Sequence, residues 1–320
     1  MSGEGSIESR LGIEYGPLAA HKLDIFVPQI SREQRADSHL PLVVFVHGGA
    51  WRSEDKSDHT ELAVRLAQRT HCSVAVPNYR LTPQKNSESD PEALSLRHPV
   101  HASDILLALD FLISGSASGS PAESKLESPP ELGAESESEA TIHTNASTFA
   151  YDSRRIFLIG HSCGAHIISS IVLSSPEPSL TPSSHILGSI RGVVLSEGIY
   201  DLDLLLTSFP SYRKWFVAAA FGDKDSFDEY SVTKFPLRSG TERIHWLIIH
   251  SPYDTLVDVK QSEAFYNHLV SLTAASHGHS LHGDTIQKDW TTIAEEHNDM
   301  LKTHQYSDFV GGFINSLHFH

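Results

Sequence analysis

Ser162 is the residue of this chain best placed for nucleophilic chemistry, because it stands at the centre of Gly160-His161-Ser162-Cys163-Gly164. A bare G-x-S-x-G pattern arises by chance, and its plain alternative is a strand-to-helix turn with a capping serine. Context separates the two: the motif directly follows the apolar run "RRIFLIG" and directly opens the helical stretch "HSCGAHIISSIVLSS". At such a junction the flanking glycines relieve crowding, and a strained turn holds the serine Oγ above the sheet edge near a helix N-terminus. A serine that attacks an acyl carbon also needs donors aimed at the oxygen where charge develops. The stretch "PLVVFVHGGAW" supplies a candidate, since five apolar residues run straight into His47-Gly48-Gly49-Ala50-Trp51. The backbone N–H groups of Gly48, Gly49 and Ala50, with that of Cys163, are the expected oxyanion donors, each worth about 3 kcal/mol of barrier. His47, at the end of a buried strand, is expected to shape that turn by hydrogen bonding rather than to act as a base. The Cys163 side chain is expected to face into helix packing.

A nucleophilic serine needs a base and the base an orienting carboxylate, and after a G-x-S-x-G elbow they follow in the order acid, then histidine. In "WLIIHSPYDTLVD" an apolar strand ends in a turn carrying Asp254, with Asp258 as the weaker candidate because it begins the next helix. In "EEHNDML" His297 occupies a loop between a short strand and the last helix. Any one of these has an ordinary alternative, a capping aspartate or a surface histidine. Three in order, each at the C-terminal end of a strand, are much harder to dismiss.

The elements that must position these residues alternate. "HKLDIFVP" reads as a half-exposed strand and "PLVVFVH" as a central parallel one. "DHTELAVRLAQRT" places Leu62, Ala63, Leu66 and Ala67 on one helical stripe, with Asp58 as its candidate cap. Strand "CSVAVPNYR" and helix "PVHASDILLALDFLIS" continue a β-α-β-α order, which implies a mostly parallel sheet flanked by helices. Residues 114–148, rich in Ser, Glu, Pro and Gly, interrupt it and are expected to form a disordered surface insertion within a single domain spanning 1–320. The order then resumes with "RRIFLIG", "IRGVVLSEG", "IHWLIIHS", a short strand near "TIQKDW" and a helix from about Met300.

Composition narrows the partners. Forty acidic against 24 basic residues give a net charge of −16, which opposes a nucleic-acid or anionic-membrane surface. Neither a secretory leader nor a spanning segment is legible, so a cytoplasmic location is expected. Two cysteines, Cys72 and Cys163, give no disulfide framework and no zinc pattern. The cluster His277, His279 and His282 lies among Gly and Ser without a carboxylate or thiolate at ligand spacing and reads as a loop.

Together "HGGAW", "NYRL", "GHSCGAH", "GIYDLDLLL", "HSPYDTLV" and "EHNDM" resemble the fungal kynurenine formamidases, over most of the chain from about residue 20 to 315 and failing only in the 114–148 insertion. That resemblance implies an α/β-hydrolase fold, hydrolysis of N-formyl-L-kynurenine to L-kynurenine and formate in tryptophan catabolism, no cofactor or metal, and a small-molecule substrate. It carries the roles of nucleophile, acid and base to Ser162, Asp254 and His297, and the oxyanion hole to the HGGAW turn. The chemistry is compatible on independent grounds. A formyl group needs little room, and an anilide nitrogen shares its lone pair with the ring, so an esterase-type machine suffices. Trp51, Tyr79 or the aromatics of residues 200–235 are candidates for walling the aryl group. Two alternatives share the motifs: a carboxylesterase of the hormone-sensitive-lipase-like group, and a non-catalytic binding protein of the same fold, although such proteins usually lose a triad member. The sequence leaves the oligomeric state open.

Overall fold

A computed structural model describes residues 6–29, 40–83, 96–114, 151–276 and 285–318. Nearly all of the expected 114–148 insertion and the whole His277, His279 and His282 cluster lie outside these residues. Eight strands form one sheet: β1 (Ile7–Glu14), β2 (Lys22–Pro28), β3 (Pro41–Val46), β4 (Ser73–Pro77), β5 (Asp152–His161), β6 (Ile190–Ser196), β7 (His245–Ile249) and β8 (Ile286–Asp289). Their spatial order is β1-β2-β4-β3-β5-β6-β7-β8. The first two pairings, β1 with β2 and β2 with β4, are antiparallel, and the other five are parallel.

The parallel strands are continuous apolar runs because both of their faces are covered. Leu42, Val44 and Val46 of β3 join one cluster with Leu158 and Leu195, while Val43 and Phe45 join a second with Phe157 and Val194. Helices α1 (Thr60–Thr70) and α5 (His304–His318) cover the second face through Leu62, Leu66, Tyr306 and Val310. Helices α2 (Val100–Ser114), α3 (Cys163–Val172) and α4 (Val259–Ser276) cover the first through Ile105, Ile168 and Phe265. The result is the α/β-hydrolase architecture, a mostly parallel sheet between two helical layers. No helix among the described residues is long and apolar enough to cross a membrane.

Two local expectations are corrected. Strand β2 is buried along Leu23–Pro28 rather than half-exposed, because the edge position belongs to β1, an N-terminal strand with no period-2 pattern. The expected cap Asp58 is instead the reciprocal partner of the true cap. Ser57 N–H donates to Asp55 Oδ1 at 2.9 Å, and Asp55 N–H donates to Asp58 Oδ2 at 2.9 Å. This capping box closes a 3₁₀ turn, Lys56–His59, that leads into α1.

Burial opposes ionisation of Asp55, but the N–H and hydroxyl of Ser57, the Asn78 amide and nearby Lys56 outweigh it and hold the carboxyl down to about 2. Asp55→Ala is therefore expected to lower unfolding free energy by about 1 kcal/mol in denaturant titrations at pH 7. A depressed folded-state pKa contributes stability that is present above the ordinary carboxylate pKa. The difference between variant and wild type should accordingly shrink as pH falls from about 4 towards 2.

Candidate active site

Parallel pairing brings the C-terminal tips of β3, β5, β6, β7 and β8 to one edge of the sheet. The chain leaves β3 towards β4 on one side while β5 lies on the other, so a crevice opens between the β3 and β5 tips, where ligands bind in open α/β sheets. Ser162 stands at the β5 tip with φ 53° and ψ −121°. This left-handed backbone is strained for a residue with a Cβ. It is held from three sides: Ser162 N–H donates to Ser196 O at 3.0 Å, and Ser162 O accepts from Ala165 N–H at 3.1 Å and Ile199 N–H at 3.3 Å. The two motif glycines have steric reasons. A Cβ on Gly164 would stand 2.2 Å from Val46 O, and one on Gly160 would stand 2.8 Å from Ala165 N.

The HGGAW turn presses against this elbow. A Cβ on Gly48 would reach 3.0 Å from Ser162 Cβ, and Gly49 has φ +88° with Ser53 O 2.2 Å from where its Cβ would be. Ala50 and Trp51 continue with φ 53° and 59°. The turn is anchored from below: Tyr79 Oη donates to Gly48 O at 2.8 Å, and Trp51 N–H donates to Cys163 Sγ at 3.2 Å. Cys163, buried in the core as expected, also braces the turn from beneath, and burial pushes its thiol up to about 12, which keeps it neutral. Burial, followed by the neighbouring His59, takes His47 down to about 4, and its Nδ1 lies 3.1 Å from Gly48 O. A neutral ring there donates to the carbonyl and shapes the turn.

His297 arrives from the loop between β8 and α5. Its Nδ1–H donates to Asp254 Oδ2 at 2.7 Å. The other oxygen, Asp254 Oδ1, accepts Leu256 N–H at 2.8 Å and Val257 N–H at 2.9 Å. Burial raises the Asp254 carboxyl, but the hydrogen bond and charge of His297 and these two amides outweigh it and bring it below its ordinary value. Asp258 faces elsewhere: its Oδ2 accepts from the Ser208 hydroxyl and lies 3.6 Å from Lys260 Nζ. Thr255 Oγ1 donates to Glu296 Oε2 at 2.9 Å and ties the acid loop to the histidine loop.

Ser162, His297, Gly49 and Ala50 share a cleft of about 200 Å³, with Glu54, Ile199, Tyr212, Trp215, Phe216, Leu256 and Asn298 among its other walls. Trp51 and Tyr79 do not line it, which removes them as the expected aryl wall and leaves the aromatics of residues 200–235. Trp51 is fully buried against His166 and Phe221, and Tyr79 stacks on His47 at 4.4 Å beneath the turn. The aromatic wall comes from Tyr212, Trp215 and Phe216. Tyr212 Oη donates to Leu256 O at 3.0 Å, and the Arg52 guanidinium donates to Trp215 O, so the wall is fastened to both the Asp254 loop and the HGGAW turn. Glu197 also reaches His297, its Oε2 lying 3.3 Å from Nδ1. The sequence does not single it out, although "LSEG" places an acid at a strand's C-terminal end by the same positional rule that selects Asp254.

By fold the chain is an α/β-hydrolase. Residues 43–94 match a family model described as alpha/beta hydrolase fold. A truncated carbohydrate esterase from gut microbiota superposes with a TM-score of 0.65 at 16% identity, covering 100% of this chain and 99% of that one. In sequence it resembles kynurenine formamidases: that of Eremothecium gossypii is 27% identical over 69% of this chain and 76% of its own length. An isoprenylcysteine alpha-carbonyl methylesterase of Arabidopsis thaliana is also 27% identical, over 71% of this chain and 43% of its own length. Fold and relatives together define a hydrolase of the esterase and amidase type.

The strain at residue 162 is measurable without assuming any activity. Ser162→Gly removes the Cβ that disfavours positive φ, so it should be more stable than Ser162→Ala by about 1 kcal/mol in parallel denaturant titrations.

Proposed function

We propose that this protein is a serine hydrolase that cleaves N-formyl-L-kynurenine to L-kynurenine and formate. The observation that carries the reading is the 2.7 Å hydrogen bond between His297 Nδ1 and Asp254 Oδ2 at the cleft that Ser162 enters from its strained elbow. That bond fixes the tautomer in which His297 Nε2 carries a lone pair. His297 takes the Ser162 Oγ proton as Oγ attacks the formyl carbon, and the oxyanion forms against the N–H groups of Gly48, Gly49, Ala50 and Cys163. The imidazolium then returns the proton to the departing aryl amine. Water, activated by the same histidine, releases formate from the formyl-serine. Asp254 stabilises the imidazolium, and its low pKa keeps it ionised for that task.

Substrate choice is supported by the similarity to kynurenine formamidases and by the cleft itself. Tyr212, Trp215 and Phe216 offer flat apolar faces to an aryl amine, and a formyl group needs no acyl pocket. Among the described residues Glu54 is the one carboxylate that lines the cleft. Burial raises it, but the His59 hydrogen bond, then the nearby His161 and His47, outweigh that and keep it below its ordinary value. An anionic Glu54 suits the α-ammonium of an amino acid substrate.

The esterase relatives favour a second reading, hydrolysis of carboxylic esters by the same triad. The purified protein should release formate and kynurenine in equal amounts, followed by mass spectrometry, with kcat/KM well above that for short p-nitrophenyl esters. Ester turnover with no formate release would select the second reading. Ser162→Ala is expected to abolish both activities while circular dichroism stays unchanged. Asp254→Asn should lower kcat by at least about 100-fold, whereas Asp258→Asn should stay within about twofold. Glu54→Gln should raise KM for the formylated amino acid by about tenfold and leave KM for p-nitrophenyl acetate alone, a pattern of lost uniform binding.

A further inference from the structure

A second buried carboxyl faces the base. Glu197 follows β6, one strand nearer the nucleophile than Asp254, and its side chain is fully buried. Its Oε2 lies 3.3 Å from His297 Nδ1 and 3.6 Å from His161 Nε2. That oxygen has no hydrogen-bond partner among the described residues. The other, Oε1, receives only a long bond from Ser251 N–H, at 3.4 Å. His161 Nε2 lies 2.9 Å from the His297 carbonyl, and since a carbonyl only accepts, Nε2 carries the hydrogen. Glu197 thus sits against both the ring of His297 and the group that holds its backbone.

The backbone at Glu197 is arranged for this placement. It adopts φ 49°, left-handed for a residue with a side chain. Glu197 N–H donates to Ile249 O at 2.9 Å, and Ile199 N–H two residues on donates to Ser162 O at 3.3 Å. The segment therefore bridges the acid strand and the nucleophile. The groups that face its carboxyl are Asp254 after β7, His297, Glu295 and Glu296 from the loop before α5, His161 on β5 and Tyr306 on α5. Burial first, and then the negative charge of Asp254, push the Glu197 carboxyl up to about 10. Beside an ionised Asp254 it is neutral.

Resting on the assignment of His297 as base, we propose that Glu197 is a positioning residue held in reserve beside Asp254: it braces the ring and backbone of His297, and becomes the ring's anionic partner when Asp254 is neutralised. Removing the Asp254 charge removes the repulsion that adds to burial in holding Glu197 protonated, and the His297 Nδ1–H, 3.3 Å away and then without its first partner, favours the carboxylate. Its proton passes to bulk water, and the carboxylate accepts the His297 Nδ1–H.

The test compares wild type, Glu197→Gln, Asp254→Asn and the double variant on p-nitrophenyl acetate, a substrate that does not depend on the formyl-kynurenine reading. Glu197→Gln should lower kcat about fivefold in the wild-type background and about 100-fold in the Asp254→Asn background, with KM steady, a coupling of about 20-fold. The residual kcat/KM of Asp254→Asn should rise with pH through an ionisation that the double variant lacks. An equal factor in both backgrounds would make Glu197 a packing residue and overturn the proposal. So would superimposable pH profiles for Asp254→Asn and the double variant, or a loss of about 1,000-fold from Glu197→Gln alone, which would make Glu197 the principal acid. If the Gln variants fold poorly, the low-field proton resonance of His297 Nδ1–H in Asp254→Asn decides. It should appear as pH rises, and its absence at every pH would contradict the reserve role. A Ser162→Ala control that still hydrolyses the ester would fail the triad assignment itself, a result distinguishable from any of these.

Discussion

Two backbone turns are pressed together at the centre of this molecule with no space for a side chain between them. Gly164, at the first turn of α3, lies so close to the end of β3 that a methyl group on it would stand 2.2 Å from Val46 O and 2.7 Å from His47 O. Hydrogen bonds surround this contact: Tyr79 Oη to Gly48 O and Trp51 N–H to Cys163 Sγ. The consequence is positional. The residue after Ser162 and the residues after His47 cannot move independently, so Ser162 and the proposed oxyanion donors form one rigid unit. Transition-state stabilisation of this kind depends on donors fixed before charge appears. The left-handed backbone at Ser162, Ala50 and Trp51 is the strain that this close approach imposes, and the apolar layers on both faces of the sheet hold it.

The remaining groups reach the unit by strand order alone. Moving outward from β5, the β6 tip brings Glu197, the β7 tip Asp254, and the loop after β8 His297. Adjacent parallel strands are about 4.8 Å apart, so side chains from neighbouring tips can meet one imidazole. Both carboxyls are fully buried. Two anions in that setting repel strongly, and the environment resolves the conflict unequally. Asp254 has two backbone amides and the ring N–H to hold its charge, while Glu197 has one long amide contact. The hydrogen-bond inventory, not the residue type, decides which carboxyl is ionised.

The sheet and its flanking helices were legible in the sequence because continuous apolar runs and 3.6-residue stripes report burial directly. Leu62, Ala63, Leu66 and Ala67 illustrate this, all four being buried. Ser162 and Asp254 were visible because each follows a strand's C-terminal end, and His297 because it comes next in a fixed order, in the loop after β8; the structure gathers them at one edge. What escaped has physical causes. Strand β1 is an edge with no buried residue and no alternation of half-buried and exposed positions. Trp51 was a candidate wall residue, but it lies fully buried beyond a turn with left-handed φ at residues 50 and 51. The aromatics of residues 200–235 were expected as a candidate wall, but which of them meet the cleft, Tyr212, Trp215 and Phe216 around the helical turn Arg213–Val217, was not legible locally. Glu197 required knowing that two neighbouring tips converge on one histidine.

The central claim is that Ser162 is a nucleophile made reactive by His297. Reaction with a fluorophosphonate, followed by peptide mass spectrometry, tests it most directly, since the reagent forms an adduct only on a serine whose proton a base removes and whose oxyanion is stabilised. The account predicts one adduct, on Ser162, forming rapidly in the wild-type protein and about 1,000-fold more slowly in His297→Ala. An adduct on another residue, or labelling of Ser162 at the same rate without His297, would contradict it.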